Sequence, residues 1–354
     1  MSHQVSYSKL FAPPKFLAMP SVSLEILPNA ISFFSTKSTE YGLLPDKYGV
    51  IGFDDRAIIR GEIKKPEAVF KVLKEIKKRT GVSSVRFSIP EEKTYIFKTH
   101  LPNLEQKEIH DILDFKLEEN VPLSSKEAVF DYDIVPNNKP NSGLDVITSV
   151  APLKFVEEWQ AMFQSAGLIP VLFSSESNNV ARSVVKVGNQ QVIVVVNIRE
   201  TSTIFSLVVC GVVYQTSSIN FGSSTFTDLF CKYYKISPTD ALKLQKEKLY
   251  NSHEDNMEVF SYLINTISAI KDELYKFVLY CNEREDIVSG VDRIILCGRE
   301  AMIVGFAEYL ELNLDIKVDL ADVWVNNFIA DNYVPEISRL DSLNFPVVNG
   351  LNLY

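Results

Sequence analysis

Val192-Ile-Val-Val-Val-Asn197-Ile-Arg-Glu-Thr-Ser-Thr203-Ile-Phe-Ser-Leu-Val-Val-Cys-Gly211 decides the fold. Its first run is almost wholly apolar and β-branched, the pattern of a strand buried on both faces. Five polar or small residues then make a tight turn, and a second apolar strand follows. A partner stretch lies about a hundred residues on: Ile294-Ile-Leu-Cys-Gly298-Arg-Glu-Ala-Met-Ile-Val-Gly305-Phe-Ala-Glu-Tyr-Leu310. It reads as strand, turn, helix. A buried strand next to a polar turn, twice over, predicts an α/β protein.

Outward from these stretches the chain is dense in elements. Residues 1–20 form a leader carrying Pro13, Pro14 and Pro20. Ser21–Phe34, Lys47–Phe53 and Arg56–Ile63 read as strands. Pro66 opens a helix to Arg79 that Gly81 ends; Val69, Val72, Leu73 and Ile76 face inward, and Lys71, Lys74, Lys77 and Lys78 face solvent. Residues 92–173 have the order β-α-β-β-α-β, expected to form one compact module with helices on one side of an antiparallel sheet. Asn103 with Gln106 makes a capping box for its first helix, and Phe155, Trp159, Met162 and Phe163 make the apolar face of its second. Past the hairpin, Ser237-Pro-Thr-Asp240 starts a helix, and Met257–Asn282 predicts a long one. The expected domains are 1–92 with 335–354 as a base, 93–172 as an insert, and 173–334 as a second domain.

Composition narrows the function. The 354 residues hold 36 basic and 45 acidic side chains, a net charge of −9. That opposes a nucleic-acid footprint, which needs a basic face. The four cysteines have no ligand spacing and read as free thiols. No run reaches the ~20 apolar residues that span a bilayer, and no secretory signal is apparent. The expected address is the cytoplasm, with membrane work done through a partner. The four histidines are scattered. Glu91-Glu92 and Asp54-Asp55 read as acidic pairs that solvate loops.

The two opening stretches resemble the two halves of the nucleotide site in the actin, sugar-kinase and heat-shock-protein superfamily. The whole chain resembles the PilM family of type IV pilus assembly proteins, relatives of the cell-division protein FtsA. Ser218-Ile-Asn-Phe-Gly222-Ser-Ser-Thr-Phe-Thr227-Asp-Leu is similar to that family's Ile-Gly-Gly-x-x-Phe/Leu-Thr-Glu. Ile236-Ser-Pro-Thr-Asp-Ala241 resembles its Ile/Leu-Ser-x-x-x-Ala, and Val347-Val-Asn-Gly350-Leu-Asn-Leu353 its closing Ala-x-Gly-Leu-Ala-Leu. The resemblance implies an actin-like (ribonuclease H-like) two-domain fold with an inserted subdomain. It implies a nucleotide site at Glu25, Asn197, Arg199, Thr201, Gly222 and Gly298, with ATP and magnesium as its ligands. It also implies docking on the N-terminal tail of a PilN-like inner-membrane protein, with pilus motor ATPases and a second copy of the chain as further partners.

The sequence departs from the family at the nucleotide site. Glu25 stands for Asp, and Leu27-Pro28 for small residues whose N–H groups face phosphate; proline has none. Ser32 stands for Lys, and Asn197 for an Asp that orders magnesium. Arg299-Glu300 fill a turn where glycine lets the backbone approach a ligand. Leu242 and Gln245 stand for Glu and Lys. These changes favour a scaffold with a degenerate site and no cofactor. The alternative is an active ATPase or small-molecule kinase with drifted motifs; a filament former like FtsA is a third reading. The expected docking groove lies between the insert and strands 47–60.

Overall fold

The computed structural model describes residues 20–354 except 54–56, 103, 105, 136–142, 249–255, 285, 288 and 330–332. The leader, the Asn103 cap, Asp54-Asp55, His3, His253 and most of the 136–143 turn lie outside the described residues.

The apolar run at 21–34 is two strands, β1 (Ser21–Leu27) and β2 (Ala30–Thr39), folded back at Pro28-Asn29 so that Glu25 faces Ser32 across the ladder. Proline cannot donate to a ladder, so the pairing turns there. β3 (Gly42–Gly52) continues the meander. The expected third strand is a miniature hairpin, β4 (Ile58–Ile59) and β5 (Glu62–Ile63). Its two turn residues, Arg60 and Gly61, both take positive φ, as tight hairpins require. Helix α1 (Pro66–Thr80) ends on Gly81, in the left-handed conformation. β6 (Ser84–Ile89) then runs parallel to β1.

The next elements keep the predicted order: β7 (Tyr95–Leu101), α2 (Gln106–Asn120), β8 (Ala128–Val135), β9 (Leu144–Pro152), α3 (Leu153–Ser165) and β10 (Ile169–Ser175). They do not share one sheet. β7, β9 and β8 make a separate three-stranded antiparallel sheet, whereas β10 pairs in parallel with β6 at the edge of the first sheet. Helix α3, which precedes β10 in the chain, packs with it on the first sheet. Its Phe155, Trp159 and Phe163 are buried in the first sheet's core, with the Trp159 ring 4.6 Å from Phe87 and its indole N–H on the Gly61 carbonyl. The free-standing insert is therefore β7 to β9 with α2. Lys98 on β7 ties it to the second half of the chain through Asp286, at 2.7 Å.

Helix α4 (Glu176–Val184) leads into a second sheet built from β11 (Val192–Ile198), β12 (Thr203–Val209) and β13 (Val212–Ile219). Three helices follow: α5 (Ser223–Tyr234), α6 (Pro238–Lys248) and α7 (Asn256–Asn282). Then come β14 (Arg293–Cys297), α8 (Phe306–Leu314), β15 (Lys317–Leu320), α9 (Arg339–Ser342) and α10 (Pro346–Asn352). The two five-stranded sheets follow one plan. Each is an antiparallel meander with two parallel strands added beside its first strand: β3-β2-β1-β6-β10 and β13-β12-β11-β14-β15.

Helix α10 explains the closing motif. A Cβ on Gly350 would lie 1.8 Å from the Asn179 carbonyl oxygen, so only glycine lets α10 meet α4 this closely. Asn349 donates to Ser183 Oγ, the Val323 carbonyl and Asn327, all buried. Asn352 donates to the Phe34 carbonyl at 3.2 Å, which docks the C-terminal helix on β2.

Candidate functional site

The C-terminal ends of β1, β11 and β14 and the start of α4 meet in a cleft between the two sheets. In open α/β sheets the carboxyl ends of strands are where ligands bind. The cleft encloses about 730 Å³. Glu25, Asn197, Arg199, Thr201 and Gly298 line it, and Gly222 lies next to the lining Ser223. The structure thus gathers the residues that the sequence singled out.

Both glycines have a packing reason to be there. A Cβ on Gly298 would stand 2.2 Å from the Ile198 carbonyl oxygen, and φ at this residue is +93°. A Cβ on Gly222 would stand 2.4 Å from the Arg199 carbonyl oxygen. Gly298 lets the turn after β14 press against the end of β11, and Gly222 lets the start of α5 press against the 199–202 turn. The N–H groups of Ser223 and Ser224, at the start of α5, donate to the Arg199 and Glu200 carbonyls. They are occupied within the protein rather than directed at a ligand.

Arg199 organises the charge. Its Nε lies 3.0 Å from Glu176 Oε1 and its Nη1 lies 3.5 Å from Glu92 Oε2. Burial works against the guanidinium, but Glu176, Glu92 and Glu25 outweigh it and hold it charged. Asn197 Nδ2 donates to Glu176 Oε1 at 3.5 Å. Ser177 Oγ donates to Glu91, which is buried. Burial raises the Glu91 carboxyl despite that bond. Burial likewise raises Glu176, against the pull of Arg199. Glu25 is pushed up to about 8, first by burial and then by Glu176, with Arg199 opposing.

Glu176, Glu91 and Glu92 were not found from the sequence. Glu91-Glu92 read there as a solvated pair. In the fold Glu91 is buried against α4, and Glu92 reaches Arg199 across the cleft. The available signal for Glu176 was its place, directly after the strand that precedes α4.

A second concavity lies elsewhere than expected. A groove of about 200 Å³ runs between β8, the edge of the insert sheet, and β10, the edge of the first sheet. Phe130, Tyr132, Ala151 and Leu172 line it, with Arg182 and Tyr354 on its wall. Strands 47–60 do not border it; the hollow beside Gly52 and Phe53 is walled by α1.

The model of the type IV pilus assembly protein PilM family matches residues 24–354. The chain belongs to the PilM family. Its fold is that of a chain in the PilM-PilN type IV pilus biogenesis complex, at 16% identity and TM-score 0.73, covering 94% of this chain and 97% of that one. It is also similar to the ethanolamine utilization protein EutJ from Carboxydothermus hydrogenoformans, at 14% identity and TM-score 0.55, over 97% of this chain and 90% of that one. A third likeness is to MreB5 of Spiroplasma citri bound to ADP, at 13% identity and TM-score 0.54, over 87% and 93%. No curated sequence matches the chain. The fold is therefore actin-like, and the family is one of type IV pilus assembly.

Proposed function

We propose that this PilM-family chain is a scaffold that docks an extended apolar tail of a PilN-like inner-membrane protein. The observation that carries the reading is the groove between β8 and β10. Each is the last strand of its sheet and so presents unpaired backbone groups along one side. An extended peptide uses such groups for main-chain pairing and side pockets for its apolar anchors. Phe130, Tyr132 and Leu172 supply the apolar surface. A PilM–PilN complex of the same fold supports the choice of partner. Among the described residues no helix is long and apolar enough to cross a membrane, so a cytoplasmic protein held at the membrane through this partner fits the reading. Pilus motor ATPases and self-association are further proposed links, tested by capture on the same membrane platform.

The cleft supports a structural role. Mg·ATP does not fit its residues. Arg199 lies on Glu176 and Glu92, where a metal-binding site would need free carboxylates, and Asn197 brings an amide in place of one. The first amides of α5 are consumed by carbonyls, and Pro28 lines the wall without an N–H to offer. Arg199 instead joins the two halves as a fixed cation.

Binding of the partner's N-terminal tail to the full chain tests the docking reading. A saturable complex, lost when Leu172→Asp places charge in the groove of a folded variant, supports it. Equal binding by both, or by neither, refutes it.

A further inference from the structure

The groove between β8 and β10 has its walls on two separate sheets. β8 is an edge of the insert sheet and β10 an edge of the first sheet, and among the described residues no ladder joins them. Their spacing therefore depends on what fixes the insert as a body. The insert's strands are paired along their lengths, β7 to β9 and β9 to β8, so a constraint on β7 is passed to β8.

The insert is attached at two ends. At one end Ala151 is buried in the first sheet's core, Val129 packs against that core, and β9 runs directly into α3. At the other end Val135 and Ile147 are buried in the core of the second sheet. The insert thus bridges the two halves of the chain.

The second attachment also carries a charge network. Lys98 Nζ on β7 lies 2.7 Å from Asp286 Oδ2, on the segment after α7, and 2.8 Å from Asp145 Oδ2 on β9. The same ammonium is 5.3 Å from the centre of the Tyr214 ring on β13. Arg284 fixes Asp286 from the far side, with Nε on Oδ1 and Nη2 on Oδ2, both at 3.0 Å. Its Nη1 donates to Gln215 on β13 at 3.0 Å. An isolated pair on an open surface contributes little. Here Lys98 and Asp286 are only 16% and 26% exposed as side chains, and each has a second partner that orients it. Asp145 orients the ammonium from the insert, and Arg284 orients the carboxylate from the second sheet. None of these residues lines the groove.

We propose that Lys98 and Asp286 are positioning residues for the docking groove, holding the insert at the tilt that sets β8 opposite β10. The inference rests on the reading that the partner's tail docks between those two strands. A tail that pairs with a strand edge and seats apolar anchors needs both walls at one spacing. With the link cut, the insert keeps its apolar contacts but gains freedom to tilt. The docking-competent setting is then populated for part of the time, and apparent affinity falls by that fraction.

Fluorescence anisotropy with a labelled N-terminal tail peptide of a PilN-like inner-membrane protein tests this. The full chain is compared with Asp286→Asn, Lys98→Met, the double variant, Asp286→Glu and the groove variant Leu172→Asp, each with its melting transition recorded. The expected result is a loss of about threefold or more in each of the first two, the scale of a coupled pair, with no further loss in the double variant. Asp286→Glu keeps the carboxylate and should bind as the natural sequence does. Either single variant decides the matter where the other does not fold. Unchanged affinity in a folded single variant, or losses that multiply in the double variant, overturns the proposal. If Leu172→Asp loses the tail while Asp286→Asn and Lys98→Met keep it, this inference alone fails. If the natural sequence does not bind the tail, the docking reading fails and this inference falls with it.

Discussion

Arg199 Nε sits 3.0 Å from Glu176 Oε1, joining the turn of the second sheet to the first turn of α4. Glu176 is only 2% exposed as a side chain, so removing the cation leaves a buried carboxylate without its counter-ion, held only by the Asn197 amide and the Glu91 N–H. Arg199→Ala should therefore cost about 3–5 kcal/mol, the usual penalty for breaking a buried pair from one side. Arg199→Ala combined with Glu176→Gln should recover much of that loss, because no charge is left stranded. Urea unfolding of the three proteins measures both effects.

Stability should depend on pH through Glu25. Its carboxyl is held well above the ordinary range in the folded chain, up to about 8. A raised folded value means the native state binds the proton more tightly than the unfolded one. The stabilisation is complete below the unfolded value near 4.5 and is lost as pH rises toward about 8. Melting temperatures at pH 5, 6.5 and 8 should fall more steeply for the natural sequence than for Glu25→Gln, which cannot ionise.

Gly350→Ala tests the packing of α10 on α4. The added methyl would meet the Asn179 carbonyl oxygen at 1.8 Å, and that atom belongs to a helix backbone. Overpacking of this kind costs roughly 3 kcal/mol or more where the backbone cannot yield. Gly52→Ala is the control. The nearest atom to its Cβ lies 3.7 Å away, and the change should stay within about 0.5 kcal/mol. Denaturant midpoints of the two variants distinguish them.

The cysteines should divide into two classes. Burial pushes the thiols of Cys281 and Cys297 up to about 12, so little reactive thiolate forms at neutral pH. Cys210 and Cys231 are partly exposed. Native alkylation read by mass spectrometry should modify Cys210 and Cys231 and spare the other two until the chain is denatured.

The sequence made the second sheet legible because its evidence is local. An unbroken β-branched run from Val192 to Val196 has few foldings, and Gly298 marks the close approach to Ile198. The first sheet was read less well. The apolar run hid the turn at Pro28-Asn29, and Arg60-Gly61 made a hairpin where one strand was expected. The apolar face of α3 was plain, but one face does not say which sheet it covers. Trp159 settles that only through Phe87 and Gly61, neither near it in sequence. The site was legible at its turns, and not in its ion pairs. Glu176 and Arg199 are 23 residues apart and Glu92 is farther still, so no spacing rule joins them. The concavity between β8 and β10 was not foreseen for the same reason, since its walls depend on β10 joining the first sheet.

The docking of a membrane partner's tail is the central claim, and fluorescence anisotropy measures it most directly. The probe is a labelled peptide of the N-terminal tail of a PilN-like inner-membrane protein. It is titrated with the full chain, with Leu172→Asp and with Tyr132→Asp, each variant first shown to melt cooperatively. The account predicts saturable binding by the natural sequence and at least a tenfold loss in both groove variants, with Leu242→Ala in the cleft unaffected. Undiminished binding by the two folded groove variants, or no binding by the natural sequence, contradicts it.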